Sequence, residues 1–523
     1  MADKEKIKKI VYSVYKKLQN NDIIVNMVNY IYIYVFPIFE RDMRPCRYTE
    51  YDMQTDKTYE KEEFRDITKI KAAFICDEMT YRCFSLECDC VFLSPHNWVD
   101  TMKSFKPDLL FCESTWSGID EYKDCWRGRV YKNNKLKFEN RKVLFQILDY
   151  CKRNNVKTVF WNKEDPTFFN HEVYNFVDTA MHFDYIFTTD RECADKYKLS
   201  GHQNVEVLMF GFSPKLYNPS CSSVKEDSCI FAGSWYSDQP ERCRDLENIL
   251  EFAIQNKMNL KIYDRNYNTG NPVNMFPDKY KEYINKSVEF TRLNHIVKES
   301  KYAININTVT ESETMFARRV FETMACNTCV ISNKSKGMKQ LFGDDVWFLG
   351  ENFDIGLIQE KCRRNVDRVF KKHTCKKRLE QVLDTVNIDY KDMESGIAVI
   401  YRNEDMCRCR AHFGTIDCAN KKGYVQNDSV FTSLDGSVFT MYEMCESSDC
   451  GYFILVDFNN ISNMDIESAI GHFSYIDEDT GIRIGSPAYE YITDSSNINT
   501  VFSIKKLKTI LNDDSINTKK YLI

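Results

Sequence analysis

The stretch Lys142-Val-Leu-Phe-Gln-Ile-Leu-Asp-Tyr-Cys-Lys-Arg-Asn154, followed after two residues by Lys157-Thr-Val-Phe-Trp161, sets the texture of the chain. Apolar residues at 143, 144, 147, 148 and 151 recur at helical spacing and predict an amphipathic helix. Residues 157–161 form a short run with no polar alternation, as in a strand buried on both faces. The same pairing recurs on either side. Lys71-Ala-Ala-Phe-Ile-Cys76, Cys90-Val-Phe-Leu-Ser94 and Asp108-Leu-Leu-Phe-Cys112 precede it as apolar runs. A helix over His171–His182, then Asp184-Tyr-Ile-Phe-Thr188 and Val205-Glu-Val-Leu-Met209, follow it. Strands alternating with helices in this way predict a parallel sheet with helices on both faces.

The polar segment Tyr217–Asp227 interrupts the pattern and reads as an interdomain linker. Ser228-Cys-Ile-Phe-Ala232 then opens a second set. It continues as a helix over 241–256, strands at 260–263 and 302–306, a helix over 317–325, strands at 329–332 and 346–349, and paired helices over 357–386. The expected organisation is a helical N-terminal extension over 1–65, an α/β half over 66–220, a second α/β half over 221–388, and a β-leaning accessory domain of the α+β kind over 389–523. Ligands of such sheets bind beyond the carboxyl ends of the strands.

Length and composition agree with a soluble multidomain chain. The 523 residues are 43% hydrophobic and 28% charged, with 18 Gly and 11 Pro, which excludes collagen-like and disordered classes. A net charge of −6 gives no support to bulk nucleic-acid binding. The 21 scattered cysteines read as reduced thiols in a cytosolic compartment. Ile23–Phe39 is apolar but interrupted by Asn26, Asn29 and Pro37, too short for a span. With lysines at 4, 6, 8, 9, 16 and 17 before it, residues 1–40 are a candidate for peripheral contact with the inner face of a membrane.

Chemistry concentrates in Phe316-Ala-Arg-Arg-Val-Phe-Glu-Thr-Met-Ala-Cys-Asn-Thr-Cys-Val-Ile-Ser-Asn333. Arg318 and Arg319 at a helix start suit phosphates, and Glu322 one turn on suits a ribose diol. Gly233 and Ser234 end the first strand of the second half, where a Gly-Ser turn lets backbone amides approach a phosphate. Arg242 opens the next helix. Tyr263, Asp264 and Arg265 end a strand and face the ligand side. Asn305 and Asn307 are amides on a strand otherwise apolar, and need partners. In the first half, Glu113, Glu164 and Asp165 follow strands and are candidates to take a proton from an acceptor hydroxyl; Trp116 suits a sugar ring. Asp190 reads as a helix cap. Cys407, Cys409, His412 and Cys418 fit no zinc spacing, and no metal site is expected.

Arg-Val-Phe-Glu-Thr-Met-Ala-Cys-Asn-Thr over 319–328, with the strand that follows, resembles the nucleotide-binding helix of group 1 glycosyltransferases. The closer resemblance is to the CgeB-like, spore-maturation-protein-like glycosyltransferases, with further matching pieces at 160–166, 183–190, 231–236 and 262–267 in the same order. The resemblance implies the GT-B architecture: two Rossmann-like, doubly wound domains facing a cleft. It implies transfer of a sugar from a nucleotide-diphosphate sugar to a hydroxyl of a glycan, glycolipid or cell-surface polymer precursor. The donor is a substrate, and no cofactor or metal is implied. One departure stands out. Many retaining members carry a second acid eight residues before the position of Glu322, and here that position is Thr314. The other readings compatible with the sequence are a non-catalytic nucleotide- or sugar-binding protein on the same fold and a nucleotide-sugar epimerase or phosphorylase.

Overall fold

The computed structural model describes residues 22–31, 65–220, 225–267, 269–391, 396–402, 404–416, 418, 420–427, 430–440, 443–444, 450–456, 466–476, 481–483, 491–492 and 500–504. The lysine-rich start and most of the expected N-terminal extension lie outside these residues.

Six strands form the first sheet: β1 (Lys71–Ile75), β2 (Asp89–Phe92), β3 (Leu109–Glu113), β4 (Lys157–Asn162), β5 (Tyr185–Thr188) and β6 (Val205–Val207). Their order is β2-β1-β3-β4-β5-β6, and every pairing is parallel. Both faces are buried. On one, Ile75, Leu110, Phe160 and Ile186 pack with Trp98, Leu144 and Ile147 from helices Trp98–Phe105 and Lys142–Arg153. On the other, Phe74 packs 5.2 Å from Phe111, which lies 6.1 Å from Trp161. Winding reverses between β1 and β3, the position at which doubly wound sheets take ligands.

The second sheet comprises β7 (Glu226–Gly233), β8 (Leu260–Asp264), β9 (Ile284–Lys286), β10 (Ser300–Asn305), β11 (Cys329–Ser332) and β12 (Trp347–Phe348). The order is β9-β8-β7-β10-β11-β12, again all parallel. This is the dinucleotide-fold order, with its reversal between β7 and β10. The third sheet is mixed: β13 (Ile397–Arg402), β14 (Lys421–Asn427), β15 (Val430–Ser433), β16 (Val438–Thr440), β17 (Tyr452–Val456), β18 (Gly481–Arg483), β19 (Tyr491–Ile492) and β20 (Thr500–Ser503), ordered β16-β15-β14-β13-β17-β20-β18-β19. Among the described pairings of this sheet, β13 with β14 and β13 with β17 are parallel, and the others are antiparallel.

The chain divides into two compact units that are not contiguous in sequence. The first combines residues up to Met209 with Glu311–Met315 and Arg378–Lys391; the second holds the remainder, including the second and third sheets. Within the first unit, Arg378 Nε and Gln381 Nε2 donate to the carbonyls of Met209 and Val207, each at 2.8 Å.

Several elements differ from expectation. The helix expected over 171–182 is confined to Phe176–Ala180. His171 Nδ1 accepts from the amides of Val173 and Tyr174, which holds a turn there, and Asn175 caps the shortened helix. The start of the expected linker is packed: Tyr217 is buried against Phe290, and Asn218 donates to the Pro214 carbonyl. Of the Ile23–Phe39 stretch, helix Asp22–Tyr30 is described; Asn26 fixes it to the backbone of Lys135 and Lys137. No helix among the described residues is long and apolar enough to cross a membrane.

The amino end of the second sheet is closed by one ammonium. Lys225 Nζ donates to the carbonyls of Lys298, Ser300 and Cys326 and to Thr328 Oγ1, at 2.7–3.3 Å. Lys225→Met leaves those acceptors facing a thioether, and is expected to cost about 2 kcal/mol. Lys301→Met, which breaks a surface pair with Asp227, is expected to cost about 0.5 kcal/mol or less. Urea unfolding of the two variants checks the difference.

Candidate active site

In the second unit, the end of β7 organises a cationic cluster. Arg319 Nη1 donates to the Ala232 carbonyl, the Arg265 amide to the Gly233 carbonyl at 3.0 Å, and Arg242 Nη1 to the Ser234 carbonyl at 3.2 Å. Two arginine side chains and the backbone amide of a third arginine thus meet three consecutive carbonyls. Gly233 is required there, since a Cβ would lie 2.7 Å from the Phe231 ring. Burial lowers the pKa of both Arg242 and Arg319, and the charge of Arg265 lowers each further. Arg318 adds a fourth guanidinium, paired with Glu322 at 2.8 Å. The Arg242 guanidinium also lies over the Tyr236 ring at 4.8 Å. Positive charge held in this way at a strand terminus attracts a multiply charged anion.

The floor of this cluster is built from amides. Ser234 Oγ accepts from Asn266 Nδ2 at 2.9 Å, and Asp264 accepts from the Asn266 amide. Burial raises the Asp264 pKa. Tyr263 is half-buried beside it. Asn305 and Asn307, both buried, donate to Ser332 Oγ. Asn307 Oδ1 accepts from the Ala317 amide at 2.9 Å, at the approach to helix Arg319–Ala325.

In the first unit, the ends of β1, β3 and β4 carry a different assembly. Asp77 accepts from the amides of Trp116, Ser117 and Gly118 and from Thr115 Oγ1. Lys163 Nζ bridges Asp77 at 3.1 Å and Glu113 at 2.9 Å. Glu113 also accepts from Thr80 Oγ1 and the Asp77 amide, and has no exposed surface. Burial raises its pKa against the pull of Lys163. Burial would raise Asp77 as well, but Lys163 and the loop donors hold it low. Glu164 is half-buried; burial raises its pKa, opposed by Lys163 and by a hydrogen bond from Trp116.

Asp165 is enclosed. Its carboxylate accepts from Asn162 Nδ2 at 2.8 Å and Thr188 Oγ1 at 2.7 Å, and it has no exposed surface. Glu113 and Asp165, read from sequence as proton acceptors, therefore act on their neighbours and have no open side toward an acceptor. Trp116, expected to meet a sugar, packs 5.0–5.8 Å from Tyr131, Phe168, Tyr174 and Phe176. Asp190 caps helix Arg191–Leu199 by accepting from the Cys193 amide. Ser312 Oγ donates to the same carboxylate, and Thr314 Oγ1 donates to the Thr189 carbonyl at 2.8 Å. Thr314 thus holds the start of that helix. Asp77 and Asn266 carried no readable signal in the sequence, whereas Lys163, with two acids beside it at a strand end, did. Among the described residues no group of three His, Cys, Asp or Glu side chains is placed to hold a metal, and His412 pairs with Tyr401 OH.

Residues 244–384 match the family described as glycosyl transferase-like. The match takes in Asp264, Asn307, Arg318, Arg319 and Glu322. No curated protein matches the chain. Solved structures that align with it include a GtfA/B complex, at 9% identity over 55% of this chain and 59% of that one, with a TM-score of 0.32. A Staphylococcus aureus TarM mutant in complex with fondaparinux, alpha-GlcNAc-glycerol and UDP aligns at 11% identity over 55% and 58%, with a TM-score of 0.35. Anabaena HepE in complex with UDP-glucose aligns at 11% identity over 61% and 97%, with a TM-score of 0.34. The chain spans under three fifths of the length of the first two structures.

The buried Asp165 gives a pH prediction. Burial pushes its pKa up to about 8, against ~4 in an unfolded chain. The folded state therefore holds a proton that the unfolded state releases. The stabilisation is full below about 4 and is lost as pH rises through about 8. Wild-type thermal stability is expected to fall between about pH 5 and 8.5 more steeply than that of Asp165→Asn, whose amide stays neutral. Melting curves of both proteins across that range check it; equal slopes would show that Asp165 is ionised throughout.

Proposed function

We propose that the chain is a glycosyltransferase that moves a sugar from a nucleotide-diphosphate sugar onto a hydroxyl of a glycan, glycolipid or cell-surface polymer precursor, on the CgeB-like branch that its sequence resembles. The observation that carries the reading is the pair of guanidiniums, of Arg319 and Arg242, held on the Ala232 and Ser234 carbonyls within reach of the Arg265 charge, beside a segment that is glycosyl transferase-like. A nucleoside diphosphate is the leaving group with the matching charge. As the bond between the anomeric carbon and the diphosphate oxygen breaks, negative charge builds on the diphosphate, and Arg242, Arg265 and Arg319 stabilise it. Glu322 sits where a ribose diol donates, and Tyr263 and Asp264 lie toward the base. Glu164 takes the proton from the acceptor hydroxyl as the new glycosidic bond forms. Its raised pKa suits that role. Charge neutralisation by guanidinium makes the transfer independent of divalent metal. The peripheral membrane contact of residues 1–40 belongs to the same proposal, supported by Ile23, Met27 and Tyr30 standing exposed on helix Asp22–Tyr30.

A calorimetric panel of UDP, GDP, CDP, TDP and ADP with their common sugar conjugates, run with EDTA, tests the donor site. One nucleotide is expected to bind, and Arg242→Ala and Arg319→Ala are each expected to weaken it about tenfold or more. Binding by none of the panel, or unchanged binding by both variants, overturns the reading. Glu164→Gln is expected to lower kcat about 100-fold or more with donor affinity kept. Steady-state kinetics with the donor so identified measures the split.

A further inference from the structure

The cationic cluster is assembled from separate pieces, and Asn333 joins two of them. It follows β11, is 2% exposed, and its amide is committed on both sides. Asn333 Oδ1 accepts from the Asn307 amide at 2.9 Å. Asn333 Nδ2 donates to the Asn307 carbonyl at 3.0 Å and to Asp245 Oδ2 at 3.0 Å. Asp245 lies one turn after Arg242 on helix Pro240–Gln255. Asn307, in turn, accepts from the Ala317 amide, two residues before Arg319. One side-chain amide thus links the helix that carries Arg242 to the segment that leads into Arg319.

The polarity of the link is fixed. An amide rotated by half a turn would face the Asn307 N–H with its own N–H₂ and Asp245 Oδ2 with its carbonyl, so each contact would be repulsive. An aspartate keeps the acceptor toward Asn307 but loses both donors and places a carboxylate against Asp245. We propose that Asn333 is a positioning residue for the donor diphosphate: it sets the separation of the Arg242 and Arg319 guanidiniums by tying Asp245 to Asn307. This rests on the nucleoside-diphosphate reading of the site and adds a residue that touches no substrate.

The test uses full-length wild type, Asn333→Asp, Asp245→Asn and the double variant. The probes are the nucleoside diphosphate selected by the five-nucleotide panel and its parent nucleoside, titrated by calorimetry. In the double variant the amide at 245 donates to the carboxylate at 333, which still accepts from the Asn307 N–H. Asn333→Asp is expected to weaken the diphosphate about tenfold while leaving nucleoside affinity within about twofold. Adding Asp245→Asn is expected to recover most of the loss. A merely structural role would weaken both probes together and would not be repaired by the swap. Hydrogen exchange at residues 240–247 and 316–322 supplies a readout without ligand: both segments are expected to loosen in Asn333→Asp and tighten again in the double variant. Diphosphate affinity unchanged in Asn333→Asp, or lost equally for both probes with no recovery, overturns the positioning role while wild-type binding upholds the donor site. Wild type that binds none of the five nucleotides overturns the donor site and the role built on it.

Discussion

Guanidinium groups repel one another, so they gather only where something other than charge holds them in place. Here the holder is the end of one strand. Ala232, Gly233 and Ser234 lie at the carboxyl edge of β7, where the winding of the sheet reverses and the chain on either side turns away. The Ala232 and Ser234 carbonyls take the Arg319 and Arg242 guanidiniums, and the Gly233 carbonyl takes the Arg265 backbone amide, so three elements are gathered at one strand end. The amide floor of Asn266, Asn305, Asn307 and Asn333 serves the same end by fixing the elements from beneath.

The reversal in the first sheet has the opposite electrostatic character. Its ammonium, Lys163, lies between two carboxylates, and Asp77 is further saturated by the loop that it gathers. That assembly needs no ligand to satisfy it. It shapes the loop from Ser114 to Gly118. One reversal thus concentrates positive charge, and the other pairs its charges internally.

Much of the architecture was legible because parallel strands buried on both faces must be apolar without interruption. Lys71–Ile75, Leu109–Glu113, Lys157–Asn162 and Cys329–Ser332 read clearly for that reason. The edge strand Ile284–Lys286 has Asn and Lys at exposed positions and gave no such signal. The helix over 171–182 was overread because apolar spacing does not reveal that His171 accepts backbone donors and stops it. In the site, Arg242, Arg318, Arg319 and Glu322 were readable as charges near helix starts. Their partners were not, since the hydrogen bonds run between positions as distant as 245 and 333. The carboxyls of Glu113 and Asp165 illustrate the converse. Their place after a strand suggested a reacting group, but sequence carries no measure of enclosure, and both are fully buried.

The interleaving of the two units bears on how this chain can vary. The first unit borrows Ser312 and Thr314 to steady the start of helix Arg191–Leu199, and borrows Arg378 and Gln381 for the carbonyls at the end of β6. A recombination break at Met209 would part each of these donors from its acceptor. The first unit is therefore not encoded by one continuous stretch: its stability depends on residues that the chain supplies only after it has entered the second sheet.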